Sequence, residues 1–415
     1  MTYEQRQKIE NGNFYKALIA HGCMIIGYAS LEIVLLYLLV QSYHASSAVL
    51  GFFGAIAAVP ATIIGFLAPV FDRITARKKW LILMQLLEIT SIFLLAVCLI
   101  SKQTLYLVAC LDLLLVAVST VSNTLEIGFI PEILFEDEAK IEKTVDVQYV
   151  LSSGLSILTG LFSSPILLFV GFRALIVISI IASALGIFFY LLIKDILPNS
   201  SNINLKYIDN GETVNDQKKA KSGYVQRLLS DGKQFLHAFP AIIIIFTEAI
   251  LGGITGLLFQ LLPITMKELG IPVALFSLVD AVQQAGDAAG GFIAPFIKVR
   301  LTTFFILDYL FSGICFVLIG FSNMPNIIRI ILLLLASIVM GMSGNVFEKL
   351  MYRSFNMQNI SAMHAIATSV FSLFSIIGYL GSLIQVGTLM FWTTAGLLSI
   401  FFGLLLVIMQ KKMDS

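Results

Sequence analysis

The side chains best placed to do chemistry in this sequence are carboxyls inside long apolar runs. Glu32, Asp112, Glu126, Glu248, Asp287 and Glu348 each lie in a stretch with little other charge. An ionisable group near the centre of a membrane helix costs about 2.5–3.5 kcal/mol on insertion scales, so it marks a functional position by default. The chemistry open to it is capture and release of a proton or another cation. A low dielectric disfavours the charged form of a carboxyl, and an arriving cation favours it. The plainer reading is a buried carboxyl that only hydrogen-bonds a neighbouring helix.

The spacing of these groups favours the first reading. Asp112, Ser119, Asn123 and Glu126 follow at steps of 7, 4 and 3 residues, which is one face of a helix. Gly341, Asn345 and Glu348 follow at 4 and 3, so Asn-x-x-Glu closes two helices 222 residues apart. His21, Tyr28 and Glu32 share a face, as do Glu248, Gly252 and Thr255, and Asp280, Gln283, Gln284 and Asp287. His21 lies near a helix end and reads as loop-facing, and Glu88 and Asp308 read as partners of basic loops. Two polar stripes, Gln148 to Ser163 and His364 to Tyr379, carry small side chains at helical spacing and read as packing faces between helices. No metal-ligand or nucleophile constellation stands out, and no Gly-Lys-[Ser/Thr] phosphate loop is present. No catalytic residue, metal or cofactor is therefore expected.

The elements that must position these carboxyls are membrane helices. The chain has 415 residues, 58% hydrophobic and 12% charged, with a mean hydropathy of +0.94. A soluble domain carries about 25% charged residues. The formal net charge of +1 gives no electrostatic case for nucleic acid. The four cysteines lie in apolar runs without CxxC spacing and read as small apolar side chains. A bilayer core of about 30 Å takes roughly 20 residues of helix. Twelve such runs are found, at 14–40, 47–71, 80–100, 104–130, 145–170, 173–194, 238–263, 272–297, 303–321, 327–350, 362–386 and 390–410.

A second echo divides the chain. Gly65-Phe66-Leu67-Ala68-Pro69-Val70-Phe71 recurs 226 residues later as Gly291-Phe292-Ile293-Ala294-Pro295-Phe296-Ile297, with basic residues after each. The expected organisation is a six-helix half over 1–194, a polar linker over 195–237 with a surface helix near 224–236, and a second six-helix half over 238–415. With both chain termini inside, the inner segments hold 22 of the basic residues and the outer loops hold 4, namely Lys102, Arg173, Lys267 and Arg329. That bias places the termini and the linker in the cytoplasm, in a multi-pass protein of the cell membrane.

The run Asp72-Arg73…Arg77-Lys78-Lys79 resembles the loop signature between helices two and three of the major facilitator superfamily, with Ala68 and Thr75 at its two glycine positions. Asn13-Phe14, Pro131-Glu132-Ile133-Leu134, Asp231-Gly232 and Leu262-Pro263 resemble the drug-exporter branch that includes macrolide-efflux proteins. Residues 104–130 lack the Arg that many drug antiporters carry in helix four. The resemblance implies two pseudo-symmetric six-helix halves around a central cavity lined by helices 1, 4, 7 and 10. It also implies transport by alternating access, with Asp72, Arg73, Arg77 and Lys78 as a gating loop. The expected function is secondary active efflux of an amphipathic or cationic small molecule in exchange for protons, by a monomer in the lipid bilayer. The alternatives are export of a specific metabolite such as a siderophore, and a non-transporting receptor or scaffold.

Overall fold

The computed structural model describes residues 3–71, 74, 77–133, 138–194, 232–233, 235–238, 241–297, 299–321, 323–355, 360–384 and 386–413. Among them are twelve long helices: α1 (Tyr3–Gln41), α2 (Ser47–Phe71), α3 (Arg77–Ile100), α4 (Leu105–Ile133), α5 (Glu138–Pro165), α6 (Phe172–Leu191), α7 (Ala241–Gln260), α8 (Phe276–Ile293), α9 (Leu301–Gly320), α10 (Asn326–Ser354), α11 (Ile360–Leu380) and α12 (Thr388–Met413). In the described residues ten helices are long and apolar enough to cross a bilayer by length and composition alone. The other two are α2, whose apolar stretch Ser47–Ile63 is shorter, and α8, which carries Asp280, Gln283, Gln284 and Asp287 in 18 residues.

Most bounds follow the apolar runs, and the departures have local causes. α1 starts at Tyr3, so the polar residues before the first run join the same helix. α7 stops at Gln260, and Pro263 opens a short separate helix, Leu262–Glu268. Pro is accommodated there because the first turn of a helix needs no N–H donor. α5 reaches Pro165 and widens into a π turn over Ile166–Val170. Gly171, at φ +100°, then reverses the chain into α6, a conformation that glycine adopts without a Cβ penalty. The surface helix expected near 224–236 lies almost wholly outside the described residues. Its end does pack down, with Phe235 stacked on Phe355 at 5.5 Å and 1° between planes.

α1–α6 and α7–α12 form two sets whose internal contacts correspond. α1 packs on α6, and α7 on α12; α3 packs on α6, and α9 on α12; α3 packs on α4, and α9 on α10. Across the sets α2 lies along α11, and α5 along α8. Within the second set, small residues bring α7 and α11 into close contact. A Cβ on Gly253 of α7 would strike the Phe374 carbonyl of α11, and one on Gly378 would strike the Gly253 carbonyl.

With alternating spans, α1 begins and α12 finishes at one end of the bundle, the terminal end. The apolar core is built differently at the two ends. At the far end one continuous cluster takes in Leu38 and Leu39 of α1, Leu50 of α2, Leu257 and Leu258 of α7, and Phe276 of α8, so both sets share it. Toward the terminal end there are two clusters. One draws on Ala17, Leu81, Leu125 and Tyr190 of the first set, the other on Ile245, Phe305, Met342 and Leu406 of the second. Among the described residues the apolar core thus joins the sets at the far end and is separate in each set toward the terminal end.

Candidate functional site

Between the two sets lies a cavity of about 680 Å³. α1 contributes His21, Tyr28 and Glu32, and α4 contributes Ser119, Asn123 and Glu126. From the second set come Phe259 and Gln260 of α7, Asp280 and Gln284 of α8, and Tyr379 of α11. Gln85 and Glu88 of α3 complete the wall. Glu32 is exposed although it lies deep in an apolar helix, because the cavity opens beside it. Asp280 from the opposite set lines the same cavity. Asp280 accepts a hydrogen bond from Gln284 at 2.7 Å, one turn further along α8.

At the terminal end of the cavity sits a tight polar cluster. His21 Nδ1 meets both carboxyl oxygens of Glu126, at 3.0 Å and 3.1 Å. Gln148 Nε2 donates to Glu126 at 3.1 Å. The Ser152 hydroxyl donates to the Gln148 carbonyl at 2.7 Å, so it accepts from His21 Nε2 at 3.0 Å. Nε2 therefore carries a proton, and a second proton lies between Nδ1 and Glu126. Whichever side holds it, imidazolium–carboxylate or imidazole–carboxylic acid, the pair is neutral as a unit. That neutrality is what lets it persist at an apolar depth. Glu88, 3% exposed, and Tyr190, fully buried, lie beside Glu126.

The structure sorts the sequence candidates by place. Glu32 and Glu126 face the main cavity. Asp112, 7% exposed, lies behind Glu32 in a small adjoining pocket with Tyr28 and Gln260. Asp287 is off the cavity, bonded to Gln283 of its own helix, with Gly341 of α10 against its backbone. Glu248 is also off the cavity, accepting from Tyr309 at 2.9 Å and from Ser343 at 3.2 Å. Glu348 lies in α10, but its side chain is outside the described residues, and Asp72 and Arg73 fall outside them altogether. Arg77 and Lys78 open α3, and Lys78 Nζ donates to the Ile193 carbonyl beyond the end of α6 at 2.6 Å.

Three expectations change. His21 faces the cavity rather than a loop, because α1 runs straight from its polar start and turns that side inward. Glu88 lines the cavity rather than a basic loop, and Asp308, 3% exposed, lies buried beside Glu248. The polar stripe on α5 is not only a packing face. Gln148 and Ser152 hold the His21–Glu126 pair, and Ser156 lines the cavity; Ser164, outside the stripe, meets Ser277 of α8 at 2.7 Å. Asp280 and Gln284 were visible as a polar turn of α8, but their facing Glu32 depends on the packing of the two sets.

No protein-family model matches the sequence, and no curated protein matches it. Solved structures match over almost the whole chain. A nucleoside transporter, NupG, is 14% identical with a TM-score of 0.73, covering 97% of this chain and 99% of its own. A POT family transporter in complex with a thioalcohol-conjugated peptide is 12% identical with a TM-score of 0.70, covering 97% and 96%. A D-xylose–proton symporter is 16% identical with a TM-score of 0.68, covering 98% and 97%. Likeness at this identity carries the fold alone. The chain is a multi-pass membrane protein of the major facilitator fold, twelve helices in two pseudo-symmetric halves.

Proposed function

We propose that this chain is a proton-coupled secondary transporter that exports a cationic, amphipathic small molecule of the drug or macrolide type by alternating access. The carrying observation is the make-up of the cavity wall. Glu32, Glu88, Glu126 and Asp280 face it, beside the aromatic rings of Tyr28, Phe259 and Tyr379. Carboxyls attract a cation, and aromatic faces hold both a cation and an apolar body. A proton and a cationic substrate compete for the same oxygens, and such competition is what an exchanger requires. The shared apolar core at the far end, against separate cores at the terminal end, supports a state open on the terminal side. The bias of basic residues supports that side as cytoplasmic, in the cell membrane, with 195–237 as a cytoplasmic linker between halves 1–194 and 238–415. The protein then works as a monomer, with Arg77, Lys78 and the Asp72–Arg73 loop at the cytoplasmic gate.

The test is efflux from proteoliposomes with and without an imposed pH gradient, using a lipophilic cationic dye. Glu32→Gln and Asp280→Asn keep the side-chain size and remove the charge change. Each is expected to lose gradient-driven efflux by tenfold or more while still equilibrating dye downhill. Full gradient-driven efflux in both variants would remove these two carboxyls from the coupling step. No dye movement by the unaltered protein would favour a narrow metabolite substrate or a receptor.

A further inference from the structure

One group in the cavity wall is of the opposite charge type to the rest. Among the described residues His21 is the only basic side chain lining the cavity, against Glu32, Glu88, Glu126 and Asp280. Its Nδ1 meets both oxygens of Glu126, at 3.0 Å and 3.1 Å, and its Nε2 is held by the Ser152 hydroxyl at 3.0 Å. Gln148 Nε2 donates to the same carboxyl at 3.1 Å. The His21 side chain is 20% exposed and that of Glu126 is 9% exposed, and both line the cavity, so a molecule bound there can reach them.

His21 thus presents to Glu126 what a cationic substrate would present, an N–H group that carries or shares a positive charge. The carboxyl already has a ligand, drawn from α1 of the chain itself. An entering cation must take Glu126 from His21. The site selects which cation succeeds. Both partners of Glu126 are nitrogen groups placed to hydrogen-bond it, and a charge-assisted N–H···O bond is roughly twice as strong as a neutral one. A quaternary ammonium has no N–H and cannot replace the bond it breaks, whereas a protonated amine or amidinium can. Met24, Ile25 and Tyr28 follow His21 at helical spacing along the wall and offer apolar and aromatic surface to the rest of such a molecule.

The proton balance follows from the pair. One proton lies between Nδ1 and Glu126, on either side. Once an amine holds Glu126, an imidazolium would be left at an apolar depth without its counter-ion. That proton therefore passes to the solvent, and His21 stays as a neutral imidazole with its Nε2–H on Ser152. One cation enters the site and one proton leaves it.

We propose that His21 is a built-in competitor for the charged group of the substrate, and that Glu126 binds a protonated amine or amidinium through N–H donors in its place. This rests on the reading of the cavity as a cation site, and it narrows the substrate to cations that carry N–H groups.

The test is displacement of ethidium from the purified full-length protein in lipid nanodiscs, read by fluorescence, with hexylamine and hexyltrimethylammonium as matched competitors. The unaltered protein is expected to bind hexylamine the more tightly. His21→Ala leaves Glu126 without its internal partner and is expected to tighten hexylamine binding by about tenfold, the worth of one hydrogen bond to a charged group, with little change for hexyltrimethylammonium. Ser152→Ala loosens His21 but keeps both members of the pair. It is expected to shift binding in the same direction by less, and it decides the matter if His21→Ala fails to fold. Glu126→Gln is expected to lose the preference for hexylamine, and His21→Ala added to it is expected to give no gain. A pair that only braces α1 against α4 would weaken both competitors alike when His21 is removed. Hexylamine binding that is unchanged or weaker in the His21 and Ser152 variants that fold overturns the proposal and leaves the cation reading of the cavity standing, as does a gain that persists without Glu126. Ethidium that binds no form of the protein overturns both.

Discussion

Single side chains at the terminal end do structural work that their types only hint at. Asn13 is 1% exposed. Its amide nitrogen donates to the Lys194 carbonyl at 3.1 Å, and its oxygen accepts from the Lys194 N–H at 3.0 Å. Lys16 reaches the Leu192 carbonyl at 2.8 Å, and Lys78 reaches Ile193. The last carbonyls of a helix have no partner within it, and the macrodipole there favours cations. These three residues therefore close the end of α6 from α1 and α3. Asn13→Ala is expected to lower stability by about 1–3 kcal/mol, because it removes two hydrogen bonds to the Lys194 backbone. The exposed Lys16→Ala is expected to do less. Thermal unfolding of the two variants in the same detergent checks the order, and equal unfolding temperatures would reject it. At this scale the sequence was informative about residue type and poor about partners. Asn13 stood out as a motif residue, yet its bond to Lys194 spans 181 residues. His21 and Glu126 were each visible on a helix face, but their pairing needs α1 against α4. Glu88 was misplaced because a helix on the outside of a bundle still turns one side inward.

Helices were the most legible level, since length and apolar content alone set them in a bilayer. The contacts between helices were legible only as a tendency, through glycines and small polar residues at helical spacing. The structure tells apart glycines that look alike in sequence. A Cβ on Gly253 or Gly378 would collide with backbone, whereas Gly154 of α5 has nothing within 4 Å. Gly253→Val and Gly378→Val are each expected to force α7 from α11 and to abolish a monodisperse folded preparation. Gly154→Ala is expected to fold normally and to gain up to about 1 kcal/mol from helix propensity. Size-exclusion profiles and unfolding temperatures of the three variants check this. A folded, monodisperse Gly253→Val would mean the α7–α11 contact is looser than the backbone approach implies. The stripe on α5 shows the limit of spacing arguments. Gln148, Ser152 and Ser156 fall on one helical face, yet the first two serve the His21–Glu126 pair and the third lines the cavity.

For the whole molecule the proposed transport cycle requires two halves joined at one end to move a cavity from side to side. Ser164 of α5 and Ser277 of α8 meet at 2.7 Å, and Gln260 of α7 donates to the Leu50 carbonyl of α2 at 3.1 Å. Both contacts cross between the halves, and both lie near the shared apolar core of the far end. Alternating access requires them to part and the terminal-end faces to meet. A covalent link at Ser164 and Ser277 is then expected to stop the cycle in the terminal-open state. The experiment replaces Cys23, Cys98, Cys110 and Cys315, introduces Ser164→Cys and Ser277→Cys, and oxidises the pair. Hydroxyls that touch place the two Cβ atoms near the spacing a disulfide needs. Oxidation is expected to cut transport by at least tenfold and reductant to restore it, while each single cysteine leaves transport unchanged. A fluorophore at His21→Cys should stay accessible from the terminal side in the oxidised protein, because the link closes only the far end. Transport that continues through a verified cross-link would mean that α5 and α8 stay together throughout the cycle, and that the cavity changes sides by bending helices within each half.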